Sequence, residues 1–260
     1  MKMLIKNGRI IDPSNNLDVV GDILVDNGVI GEVACRTQVK TKADTIIDAS
    51  GKIVIPGLFD MHVHLREPGR EDKETIATGT FAAVKGGVTS VLAMPNTSPA
   101  IDAPEHVQAV RAIAEKTAHC TVYIAGAITR GRLGKEVCDI PALKKAGAVA
   151  ITDDGSSVDD EAILEKAFQK AKGLCVICHS EDAALSNSGV VNLGFISTRL
   201  GLRGISGESE YARVLRDIEV ARRTKSPVHI AHVSCRKSIE IIAQAKKKGV
   251  AVTCETAPHY

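Results

Sequence analysis

From Pro56 onward the chain repeats one pattern: a short apolar run, then a stretch of helical periodicity, then a turn. The runs are GLFDMHVHL (57–65), GVTSVLAMP (87–95), TVYIAGAIT (121–129), AVAITD (148–153), LCVICHS (174–180), PVHIAHVS (227–234) and VAVTCET (250–256). Amphipathic segments such as EHVQAVRAIAEKT, EAILEKAFQKAK, EYARVLRDIEVARRT and KSIEIIAQAKKKG lie between them, with Gly173 and Gly249 closing two helical stretches. Continuously apolar strands are buried on both faces, and a parallel sheet covered by helices provides that burial. Either a doubly wound open sheet or a β/α barrel satisfies the pattern. No G-x-G-x-x-G or G-x-x-x-x-G-K-[ST] loop follows the first run, so the nucleotide-binding versions have no support. The expected fold is α/β: a parallel (β/α) barrel over residues 55–260, seven of its eight strands visible. The chain stops just past the seventh run, and we read this as a barrel short of its last unit.

Residues 1–54 read differently. The runs KMLIKNGRII, DILVDNGVIGEV and DTIIDASGKIVI are separated by Asn-Gly, Asp-Pro and Ser-Gly turn signals, and Asp26-Asn27-Gly28 sits where a hairpin needs it. A small, β-rich, sandwich-like antiparallel module is expected there.

Composition excludes several classes of partner. With 33 basic and 31 acidic side chains the net charge is +2, and aromatic residues are 3% with no Trp. Neither a phosphate-binding charge excess nor a base-stacking platform exists, so nucleic acid is not an expected partner. No apolar run approaches the roughly 18 residues that span a bilayer, and polar Lys6, Asn7 and Arg9 interrupt any leader-like run. The 7 cysteines are an odd set scattered through apolar runs, which points to reduced thiols and a cytoplasmic protein. Cys175 and Cys178 are three apart on a strand, so they face opposite sides and read as buried structural residues.

The chemistry-bearing residues sit at strand ends. His62 and His64 are two apart, so both rings share one face and can chelate one cation. Asp60 shares that face and is expected to support them from below. The fourth run ends in Asp153-Asp154-Gly155, the fifth in His179-Ser180-Glu181-Asp182, and the sixth carries His232. In a β/α barrel all these ends open on one mouth, so the residues face a common centre. Nitrogen and carboxylate donors suit zinc, with manganese, cobalt or iron as substitutes. His106, His119 and His229 read as surface or packing residues, whereas His259 either fills a loop or touches substrate. Arg66 follows the first run and can grip a carboxylate bidentately; Asn96, in MPNTSP, offers an amide to the same ligand.

The strings IPGLFDMHVHLREPGRED, ETIATGTFAAVKGGVTSVLAMPNT, AITDDG, CHSED, IAHVSC and CETAPHY resemble, in order, the dihydroorotase family of the amidohydrolase superfamily. The resemblance implies reversible hydrolysis of the cyclic amide of dihydroorotate to N-carbamoyl-aspartate, in pyrimidine synthesis. It implies one or two zinc ions: His62 and His64 on one, His179 and His232 on a second, and a strand-four acid bridging. Asp154 aligns best with that bridge and Asp153 is the alternative, because a one-residue slip swaps faces. Arg66 and Asn96, with His64 beside them, are implied to hold the substrate.

Hydantoinases, allantoinases and one dihydroorotase class carry a carbamylated lysine at strand four; AVAITDDG has none, so this chain is similar to the class with Asp. The alternatives are another cyclic amidohydrolase, or a non-catalytic scaffold for aspartate transcarbamoylase. The resemblance also implies a strand-eight aspartate as metal ligand and general base, which would lie beyond Tyr260. Weak metal binding and poor turnover are expected of the 260 residues alone. Relatives of this kind form homodimers or associate with the transcarbamoylase.

Overall fold

A computed structural model describes residues 1–35 and 37–260. The chain divides into two compact units, Met1–Leu58 and Phe59–Tyr260. In the first, β1 (Lys2–Asp12) pairs antiparallel with β2 (Leu17–Asp26), which pairs antiparallel with β3 (Val29–Cys35). Asn27 and Gly28 form the two-residue loop expected at that hairpin, both with positive φ (49° and 81°), which is the geometry that matches strand twist.

The module is not purely antiparallel as expected. β4 (Thr45–Asp48) and β5 (Ile53–Val54) both pair parallel with β1. The chain leaves β3 on one side of β1 and reaches the other edge by a crossover, so its direction is restored rather than reversed. Leu4, Leu24, Ala34 and Val39 form the small core.

The second unit contains all seven expected strands. They are β6 (Leu58–Val63, beginning one residue before the unit boundary), β7 (Val88–Ala93), β8 (Thr121–Gly126), β9 (Ala150–Ile151), β10 (Cys175–Cys178), β13 (Val228–Ile230) and β14 (Val252–Cys254). The two-residue strands β11 (Val191–Asn192) and β12 (Gly204–Ile205) form a separate parallel pair. The main sheet runs in the order β14-β13-β10-β9-β8-β7-β6 and curls as a parallel half-barrel.

Eight helices intervene: α1 (Ile76–Lys85), α2 (Pro104–Thr117), α3 (Ile140–Ala146), α4 (Glu161–Lys170), α5 (Ala183–Ser186), α6 (Phe195–Arg199), α7 (Glu208–Thr224) and α8 (Arg236–Lys247). Their ends follow local chemistry. The Thr75 hydroxyl accepts from Thr78 N to start α1, the Asp160 carboxylate accepts from Ala162 and Ile163 to start α4, and Gly147 closes α3 at φ 108°.

The middle of the sheet is buried on both faces, as the unbroken apolar runs require, while the edge strands β6 and β14 are largely exposed. Ile151, Val176, Cys178, Val228 and Ile230 pack against Leu164, Phe168, Val214 and Ile218 of the helices. On the other face Leu92, Ala125, Ala150 and Ile177 meet. Strand alternation produces this split, and it puts buried Cys178 on the helix side; neither it nor half-buried Cys175 joins the histidines. All seven cysteines are free thiols, and among the described residues no helix is long and apolar enough to cross a membrane.

Candidate metal centre

The mouth is assembled from residues at or just past the strand ends. His62 lies within β6 and His64 one residue beyond it; His179 follows β10 directly, and His232 stands two past β13. Asp154 stands three past β9. His232 has φ 39° and Arg66 φ 62°, the left-handed region that side chains other than glycine seldom adopt; such backbone is held where the surrounding structure enforces it.

Asp154 is the hub of the cluster. Its carboxylate, 4% exposed, lies 3.1 Å from His62 Nε2, 3.7 Å from His64 Nε2, 3.7 Å from His179 Nδ1 and 3.6 Å from His232 Nε2. His179 Nδ1 and His232 Nε2 are 2.8 Å apart, within hydrogen-bond distance of each other. Ligand atoms of His62, Asp154 and His232 lie within 4.8 Å of one another. Four imidazole nitrogens and a carboxylate, with no lysine or arginine in ion-pair contact with that carboxylate among the described residues, make a donor set that fits a divalent cation.

The electrostatics without a cation follow from this packing. Burial acts to raise the Asp154 pKa, but hydrogen bonds from His179, His232 and His62 outweigh it and hold the acid far below the carboxylate range. Burial acts to lower the His62 pKa, yet its bonds to Asp154 and Glu255, with both charges, raise it to about 10. His64 is lowered, chiefly by burial.

Asp153 points elsewhere. Its carboxylate accepts from Ile128 N at 2.8 Å, Thr129 N at 3.0 Å and the Thr129 hydroxyl, so it ties this loop to the end of β8. Asp60 is not in the cluster as expected. Its carboxylate turns back on its own chain to accept from His62 N at 3.1 Å, a local bond that short acidic side chains make readily.

Arg66 lines the cavity at the mouth, which encloses about 940 Å³. Its guanidinium has no acid partner among the described residues. Asn96 lines the same cavity, but its amide is engaged: Oδ1 lies 3.2 Å from His64 Nδ1, and Nδ2 donates to Asp154 Oδ2 at 3.2 Å. Val191, Leu193 and Ile205 of the segment between α5 and α7 also line it. His259 stacks on Tyr260, and Tyr260 rather than His259 reaches the cavity. His106 pairs with Asp102, and His119 meets the Phe81 ring.

Two residues that sequence reasoning passed over touch the cluster. Glu255, one past β14, lies 2.6 Å from His62 Nδ1 through Oε1. Arg132 Nη2 donates to the Asp154 carbonyl at 2.6 Å. Glu255 carried one usable signal: it follows its strand by the same single step as His64 and His179.

Residues 51–238 match the dihydro-orotase-like family. The chain belongs to that family. It is 51% identical over 262 residues to a curated dihydroorotase of Elusimicrobium minutum and 49% identical to one of Geobacter sulfurreducens. Both alignments take in all of this chain; it spans 60% and 61% of the length of those relatives. Among solved structures, the L-hydantoinase of Arthrobacter aurescens superposes with a TM-score of 0.84 at 22% identity, over 99% of this chain and 58% of that one. That likeness shows the barrel fold expected from the strand pattern. The dihydroorotase-like membership agrees with the motif resemblance.

Proposed function

We propose that this chain is a zinc-dependent dihydroorotase, interconverting dihydroorotate and N-carbamoyl-aspartate in the cytoplasm. One observation carries the reading: a buried carboxylate ringed by four strand-end imidazoles shares its cavity with an arginine that has no acid partner among the described residues. Identity near 50% with curated dihydroorotases supports it. His62, His64, Asp154, His179 and His232 would hold one or two zinc ions. A cation bound there supplies Lewis-acid polarisation of an amide carbonyl and activation of a water.

The chain's own residues do the rest. Arg66 pairs with the substrate carboxylate and so fixes which ring carbonyl faces the centre. Asn96, bonded to both His64 and Asp154, joins the substrate side of the cavity to the ligand side. In the hydrolytic direction, water adds across the ring amide: its oxygen goes to the carbonyl carbon, the C–N bond breaks, and the nitrogen takes a proton. The resemblance assigns that proton transfer to a strand-eight aspartate with no counterpart in these 260 residues. Homodimerisation, or association with aspartate transcarbamoylase, is the assembly we propose.

The test is interconversion of the two compounds by the zinc-loaded chain, beside His62→Ala and with hydantoin and allantoin as competing substrates. Turnover of dihydroorotate that disappears in the variant supports the reading. A higher kcat/KM for hydantoin or allantoin overturns it.

A further inference from the structure

His62 has two ring nitrogens with different surroundings: Nε2 faces the Asp154 carboxylate at 3.1 Å and Nδ1 faces Glu255 Oε1 at 2.6 Å. The position of Glu255 is fixed by the sheet. Its backbone N donates to Ile230 O at 3.1 Å, and its carbonyl accepts from Val233 N at 2.8 Å, so the residue is locked beside the end of β13. Its second oxygen lies 3.4 Å from Nε2 of His229, a ring only 3% exposed whose Nδ1 is 2.8 Å from the Thr253 hydroxyl. The His229 ring thus lies against Oε2 without a hydrogen bond of its own at Nε2, and the backbone bonds hold Glu255 so that Oε1 meets His62. Among the described residues no other ring of the cluster has a carboxylate this close behind it. His64 Nδ1 meets a neutral amide, and the outer nitrogen of His179 lies 3.4 Å from a partly exposed Glu181.

A neutral imidazole carries one proton, and the nitrogen that carries it cannot bind a cation. We propose that Glu255 is a positioning residue for the metal centre: it accepts the Nδ1 proton of His62, fixing the ring's orientation so that Nε2, beside Asp154, is the nitrogen presented to a cation. This rests on the metal-centre reading above. A carboxylate behind a ligating histidine also raises the basicity of the ligating nitrogen, and losing such a partner typically weakens metal affinity about 10- to 100-fold.

The experiment measures zinc affinity by competition with a chromophoric chelator for the unaltered chain, Glu255→Ala and Glu255→Gln, with melting curves of the zinc-free proteins. Nitrogen-15 spectra of the histidine rings in the zinc-loaded state accompany them. We expect a loss of roughly 10- to 100-fold in the alanine variant and recovery of most of it in glutamine, whose Oε1 still accepts. The spectra should show a proton on His62 Nδ1 in the unaltered and glutamine proteins. If the alanine variant does not fold, the glutamine variant and the ring spectra decide. Zinc affinity in Glu255→Ala equal to that of the unaltered chain, or a His62 ring bound to zinc through Nδ1, overturns the proposal and leaves the metal centre standing. An unaltered chain that binds no zinc overturns both.

Discussion

In the proposed metal centre a cation and a proton would compete for His62, and the neighbouring carboxylates set the terms. The ring lies between two carboxylates at 3.1 and 2.6 Å, and this raises its pKa to about 10 against the opposing effect of burial. Asp154 stays ionised, held far below the carboxylate range, and Glu255 is lowered to about 2 because bonds from His229 and His62 outweigh its burial. His64 is lowered, so it is neutral at pH 7. Of these four groups only His62 must give up a proton when a cation enters. At pH 7, three pH units below its pKa of about 10, removing that proton costs about 4 kcal/mol and weakens zinc binding about a thousandfold.

The sign follows directly: affinity rises with pH, about tenfold per unit, until pH approaches the His62 value. Zinc affinity measured with a chelator buffer between about pH 7 and 8 should show this slope. Calorimetry in buffers of different ionisation enthalpy should count the released proton. In His62→Ala the slope should fall by about one. An affinity flat across this window, or an unchanged slope in the variant, would refute the reasoning.

The same shift makes the zinc-free protein alkali-sensitive. A histidine whose folded pKa lies above its ordinary 6.5 contributes stability fully below that value and loses it as pH climbs toward 10, so the melting temperature should fall from neutral pH to pH 10. A rising melting temperature would contradict it. Arg66→Met should lower kcat/KM for dihydroorotate roughly 10- to 100-fold, the loss of a charge-assisted pair, while hydantoin, which lacks the carboxylate, is little affected. Equal losses on both substrates would remove Arg66 from carboxylate binding. Asp153→Asn should destabilise the fold by about 1–3 kcal/mol, because three donors lose their shared anion, yet keep the zinc stoichiometry. Loss of zinc with an unchanged denaturation midpoint would reverse the roles given to the two aspartates.

The strand pattern was legible because burial on both faces leaves an unbroken apolar signal, and each of the seven runs contains its strand. Even the two-residue β9 announced itself through AVAITD, since Ala150 and Ile151 are buried on opposite faces. The four histidines were legible for a related reason: each stands within two residues of a strand end, and the fold brings those ends together. What stayed hidden depends on contacts the local pattern does not encode. Asp60 obeys the period-two rule, but a bond to a backbone N–H two residues away competes with the centre and wins. Glu255 reaches a partner 193 residues earlier in the chain. The parallel placement of β4 and β5 depends on which edge of β1 the crossover reaches, and turn residues carry no information about that.

The pair Asp153–Asp154 shows how one strand end performs two incompatible tasks. A carboxylate that holds a cation must keep its oxygens turned to the mouth, so it cannot also bind the loop down. The neighbouring residue, facing the other way, does that work. Asp153 takes both amides beyond β8 and the Thr129 hydroxyl, while its own pKa is raised because burial exceeds the help of those bonds. Around Asp154 the loop restrains the backbone: Thr152 Oγ1 accepts from its N at 3.0 Å, and Arg132 donates to its carbonyl at 2.6 Å. The side chain is thus left to the histidines and to Asn96, whose Nδ2 donates to Oδ2. For the proposed metal centre this division is useful: Asp153 anchors the loop just past the short strand β9 while the Asp154 carboxylate stays among the histidines.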